Sequence, residues 1–157
     1  MPFHNISAIK ILYKFVKDTK PDYLILTGDI IDCWELSSFR KFPKMEQGGF
    51  EKELDVAFKE LQRFRRLCPD SIIYYVEGNH EFRIRKYLME NAPALAFLPN
   101  LHLEYLLGLH KLKIWWHGLP ENKTRYSHNF LKLGHLKIGH GDIIRSGNNS
   151  FYSKTST

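Results

Sequence analysis

Two stretches of the chain repeat one design, and the repeat narrows the accessible folds more than any other feature. Residues 23–32 read YLILTGDIID, a short apolar run that breaks at glycine and delivers aspartates. Residues 71–81 read SIIYYVEGNHE, a second apolar run that breaks at glycine and delivers Asn, His and Glu. Each run is too short for a helix and suits a strand buried on both faces. An amphipathic helical stretch precedes each of them. Ile6, Ile9, Leu12, Phe15 and Val16 recur at helical spacing from Asn5 to Asp18, with Asn5 or Ser7 able to cap the start and Pro21 to stop it. Leu54, Phe58, Leu61 and Phe64 do the same between Glu51 and Leu67, ahead of Cys68-Pro69-Asp70. Helices alternating with short apolar strands imply right-handed crossovers and parallel strands in a layered α/β domain. Polar residues at the carboxyl ends of such strands meet on one rim, where open α/β sheets bind ligands. GDIID and GNHE are therefore expected to be neighbours in space.

The remaining segments extend the pattern. Glu81 to Glu90 reads as a helix and Leu103 to Leu107 as a short one; Leu112–Trp116, Phe130–Leu133 and Leu136–Ile138 read as strands, the last two a hairpin around Gly134. The hairpin runs into Gly139-His140-Gly141-Asp142, so another strand ends in a potential metal ligand. The final stretch, IIRSGNNSFYSKTST, is polar and is expected to fray. With 157 residues the chain fits one domain, residues 1–157. No apolar run approaches the roughly 20 residues of a membrane span, and MPFHNISAIK lacks the features of a secretory signal, so the expected compartment is the cytoplasm. Cys33 and Cys68 share no metal or disulfide spacing and are expected to be reduced thiols. The net charge of +6 favours anionic partners, either phosphate esters or nucleic acid.

Asp29, Asp32, Asn79, His80 and His140 offer hard oxygens and imidazoles, a ligand mixture that suits manganese, iron or zinc. The neutral oxygen of asparagine keeps the charge of such a site low enough to admit a phosphate. Glycine ahead of each group lets the backbone turn sharply beside an ion. Taken singly, Gly-Asp and Gly-Asn are common turn formers; the case rests on their succession at strand ends.

TGDIID (27–32), EGNHE (77–81) and GHGD (139–142) resemble, in order, the second, third and fourth signature blocks of the calcineurin-like metallophosphoesterases. The resemblance covers most of the chain and implies an α/β/β/α sandwich that hydrolyses phosphomonoesters or phosphodiesters with one or two divalent ions. It implies Asp29 as the bridging carboxylate, Asn79 and His140 as ligands, His80 as the catalytic histidine and Asp32 as its orienting partner. Arg83 or Arg85, at the start of the following helix, would hold phosphate oxygens, the alternative being that both are helix surface. Two ions sharing a carboxylate can generate a nucleophile at neutral pH and neutralise the charge of an in-line displacement. The family's first block, Asp-x-His, and its fifth, Gly-His-x-His, have no counterpart, so three of about seven expected ligands are present. His4 is the nearest spare imidazole. The implied domain is truncated at both ends, with completion by another chain or a homo-oligomer as one outcome. A metallophosphoesterase-fold module that binds nucleic acid or a partner protein without catalysis is the other.

Overall fold

Asn5 opens the first helix as its cap: its side-chain oxygen accepts from the backbone N–H groups of Ser7 and Ala8, satisfying donors that a helix start leaves unpaired. The computed structural model describes residues 5–39, 49–127 and 129–141. Helix α1 (Ile6–Thr19) leads through a left-handed Lys20 into strand β1 (Tyr23–Leu26). A 3-10 turn at Trp34–Leu36 follows, then α2 (Gly49–Leu67), β2 (Ile72–Val76), α3 (Phe82–Asn91), α4 (Leu103–Leu106), β3 (Ile114–His117), and a hairpin of β4 (Leu131–Leu133) and β5 (Leu136–Ile138).

Strands β1, β2 and β3 form a parallel sheet in that order, in a mixed α/β architecture. Its register sorts the side chains by face. The rows Leu24–Ile73–Ile114 and Leu26–Tyr75–Trp116 belong to the core, where they join Val16, Leu61 and Phe64 of the helices. The row Ile25–Tyr74–Trp115 lies on the other face, and Trp115 is 64% exposed. β4 and β5 pair antiparallel as a separate two-stranded sheet, with Gly134 in the left-handed conformation that a tight turn requires.

Both long helices turn inward a face shifted from the one their apolar spacing indicates, keeping Val16 of α1 and Leu61 and Phe64 of α2. In α1 the buried residues are Tyr13 and Val16, while Ile6 and Phe15 stand open to solvent. Tyr13 meets Phe64 of α2 edge-on at 5.2 Å and carries the Arg63 guanidinium over its ring at 4.8 Å, so an amphipathic tyrosine is packed where Ile6 and Phe15 are not. In α2 the buried stripe is Glu53, Ala57, Leu61 and Phe64, with Leu54 and Phe58 half-buried. A glutamate therefore occupies a core position. β3 begins two residues later than the apolar run suggests, because Leu109–Lys113 closes a turn in which Lys113 adopts a positive φ and the Leu112 side chain caps the core. Cys33 and Cys68 are both free and buried.

Candidate functional site

The rim is built where the two glycine turns touch. A Cβ on Gly28 would come within 2.6 Å of the Gly78 backbone N, so the two loops approach at a distance that only glycine permits. Beyond Gly28, Asp29 adopts φ +52, a left-handed conformation that is strained for a residue with a side chain. Glu81 restrains it. Only 1% exposed, its carboxylate accepts from the backbone N–H groups of Asp29 (2.9 Å), Ile30 (2.9 Å) and Gly78 (3.0 Å) and from the Tyr75 hydroxyl (2.7 Å). Burial pushes this carboxyl above its ordinary range, against the opposing pull of those hydrogen bonds.

The strand-end residues expected to be neighbours do meet. The His80 N–H donates to Asp29 Oδ1 at 3.1 Å. His140, two residues past β5, lies with Nε2 2.9 Å from Asn79 Oδ1 and 3.4 Å from Asp29 Oδ2. Its other ring nitrogen, Nδ1, lies 2.6 Å from the Thr27 carbonyl, which can only accept, so Nδ1 carries the hydrogen. The Nε2 lone pair then faces two oxygens. This carbonyl-backed imidazole is the arrangement that orients histidine ligands in metal sites, and the oxygen–oxygen–nitrogen donor set fits one divalent cation. Among the described residues no group of three or more His, Cys, Asp or Glu side chains gathers for an ion. The convergence holds two such side chains and an amide. His4 and Asp142 lie outside the described residues.

On the opposite side of His80, Nδ1 stands 2.8 Å from Asp32 Oδ1. Arg83 Nη1 donates to the same Asp32 oxygen at 3.0 Å and to the Asp32 carbonyl at 2.6 Å. Arg85 is engaged elsewhere, donating to the Leu119 and Pro120 carbonyls. Both arginines thus fasten loops and are not free helix surface; Arg83 stands next to His80 while Arg85 does not. Trp34 and Phe39 stack at 6.1 Å near Arg83, with Phe39 62% exposed rather than packed in a core.

Two carboxylates of structural consequence were not singled out from sequence. Glu53 accepts from Asp32 N and Cys33 N. Glu77 accepts from Leu119 N at 2.5 Å and lies 3.9 Å from Arg85 Nη2; burial, the main cause, pushes its carboxyl up to about 7. The available signal for Glu53 was its spacing with Ala57, Leu61 and Phe64, which places it on the buried stripe. Tyr126 packs edge-on against His140 and donates to the Glu77 carbonyl.

The structure is that of a mixed α/β protein whose parallel sheet has acid, amide and imidazole groups gathered beside its carboxyl rim, the place where open α/β sheets bind ligands. The family model described as calcineurin-like phosphoesterase matches residues 3–153, and the chain belongs to that family. Its curated relatives include the gene 54 protein of Mycobacterium phage D29, 31% identical over an alignment of 104 residues that covers 61% of this chain and 38% of the relative. The gene 54 protein of Mycobacterium phage L5 is 29% identical over 113 residues, covering 68% of this chain and 43% of the relative. The chain thus matches well under half the length of these relatives. No solved structure gives a significant match. No helix among the described residues is long and apolar enough to cross a membrane.

Proposed function

We propose that the chain acts as a divalent-metal-dependent phosphoester hydrolase, with His80 serving the leaving oxygen, Asp32 aligning His80, and Asp29, Asn79 and His140 holding a cation. The observation that carries this reading is adjacency: the His80–Asp32 pair stands beside the Asp29–Asn79–His140 convergence, with His80 Nε2 3.8 Å from Asp29 Oδ2. A divalent ion, manganese being the first choice for this donor set, supplies Lewis-acid polarisation of a phosphoryl oxygen when bound. Asp32 accepts the Nδ1 hydrogen of His80 and thereby stabilises the imidazolium form. Nε2 then donates its proton to the leaving oxygen as the phosphorus–oxygen bond breaks; water supplies the new oxygen on phosphorus, and the proton it releases restores the imidazolium. Arg83, locked to Asp32 through Nη1, keeps further N–H donors of its fork for phosphate oxygens. The α/β/β/α layering of the family belongs to the same proposal.

The test is hydrolysis of p-nitrophenyl phosphate and bis(p-nitrophenyl) phosphate by the chain with manganese, iron or zinc, beside His80→Ala. The expected loss of kcat in the variant is on the order of 10²-fold or more. Hydrolysis that ignores both the metal and the substitution refutes the reading.

A further inference from the structure

Five consecutive backbone N–H groups, from Asp29 to Cys33, are accepted by two buried carboxylates, one from α2 and one from the turn just ahead of α3. Glu81 takes the first three, at 2.9, 2.9 and 3.4 Å. Glu53 of α2 takes the last two, Asp32 at 2.5 Å and Cys33 at 3.0 Å, one on each oxygen. Glu81 lies within the GNHE stretch; Glu53 lies outside every motif, is 7% exposed, and reaches the loop across 20 residues of chain. A carboxylate withdrawn from water at a core position needs compensation from directed donors, and these two amides provide it. Cys33, with φ +50 and its side chain fully buried, is the second strained residue of the loop. Glu53 holds the backbone at that point.

We propose that Glu53 is a positioning residue for the Asp32–His80 pair, an inference that rests on the hydrolase reading for its catalytic consequence. Asp32 is held through three of its groups: the N–H by Glu53, the carbonyl by Arg83, and the carboxylate by His80 and Arg83. With the backbone fixed, the short aspartate side chain has two torsions to set, and the 2.8 Å contact with His80 Nδ1 follows. Replacing Glu53 by Gln keeps one acceptor oxygen and turns an amide NH2 toward a backbone donor, so one of the two tethers is lost. Replacing it by Asp shortens the arm by a methylene, so the carboxylate no longer spans both amides.

The experiment is a double-mutant cycle read in kcat and KM with bis(p-nitrophenyl) phosphate and manganese, joined to nitrogen-15 spectra of the His80 ring at one fixed pH. Glu53→Gln is expected to lower kcat about tenfold with KM within twofold. In an Asp32→Ala background the same substitution should change kcat less than about twofold, because the group it positions is gone. A tenfold loss in both backgrounds overturns the proposal and leaves Glu53 as a structural residue only. The ring spectrum decides independently of activity: the parent carries its hydrogen on Nδ1, and Glu53→Gln should lose that fixed pattern. An unchanged pattern overturns the proposal. A parent without hydrolysis sinks the hydrolase reading while the spectrum still tests the positioning. Glu53→Asp takes the place of a Gln variant that fails to fold; failure of both marks the role as structural and overturns the inference.

Discussion

Glu77 should make the chain lose stability as pH rises through the weakly acidic range. Its carboxyl is moved from an ordinary 4.5 to about 7, chiefly by burial, with the Leu119 amide and Arg85 pulling the other way. Below pH 4.5 the group is protonated in the folded and unfolded chain alike and contributes no difference. Between 4.5 and 7 the unfolded chain ionises Glu77 while the folded chain still holds the proton, so folding is progressively disfavoured; above 7 the penalty is constant. The shift corresponds to about 3 kcal/mol of stability lost across the window. Glu77→Gln removes the titration and keeps an acceptor for the Leu119 N–H, so the comparison isolates this group. Urea unfolding of both chains from pH 4 to 8 is the assay, with the difference in unfolding free energy as the readout. The parent should fall relative to the variant by up to about 3 kcal/mol as pH rises. Parallel curves, or a parent that gains on the variant with rising pH, refute the reasoning.

The close approach of the two rim loops gives a second prediction. A Cβ on Gly78 would collide with the Asp29 carboxylate and come within 2.6 Å of Glu81 Oε2, so Gly78→Ala should lower stability by about 1–3 kcal/mol in thermal unfolding; an unchanged transition would show that the loops can part freely. Arg65 donates to the carbonyls of Leu112, Cys68, Pro69, Ser71 and Lys113. Arg65→Lys keeps the charge but not the planar fork, and should cost about 2–3 kcal/mol in urea unfolding; full retention of stability would show that charge alone suffices.

The parallel α/β plan was legible because it is written in short-range signals: brief apolar runs, helical stretches ahead of them, and glycine at each break. The meeting of GDIID with GNHE was legible for the same reason, since strand ends on one rim have few other places to go; His140 follows a strand of the separate hairpin, and only the family resemblance linked it to them. The inward faces of α1 and α2 were legible only in part: Val16, Leu61 and Phe64 are buried as their spacing indicates, and other positions are not. Apolar spacing ranked Ile6 and Phe15 above Tyr13, and Leu54 above Glu53, whereas packing selected the ring that meets Phe64 and the carboxylate that reaches the Asp32 loop. A buried glutamate has the same letter as a solvated one. Its partners here are backbone amides, which every residue but proline carries and no sequence pattern marks. The arginines were ambiguous for a related reason, since their acceptors include loop carbonyls.

The rim contacts also set the order in which the site can assemble. The contact from the His80 amide to Asp29 closes 51 residues of chain, whereas that from His140 to the Thr27 carbonyl closes 113. The longer loop costs roughly 0.7 kcal/mol more in closure entropy, a small difference, so what separates the two events is where the groups are mounted. Asp32 and His80 flank adjacent, paired strands, and their meeting accompanies formation of the parallel sheet. His140 arrives on a hairpin whose backbone ladder is its own. Opening of that hairpin removes one corner of the convergence and leaves the imidazole–carboxylate pair standing. The rim is therefore two folding events joined at Asp29, and amide exchange should find the His140 corner opening at a lower free energy than the strands beneath it.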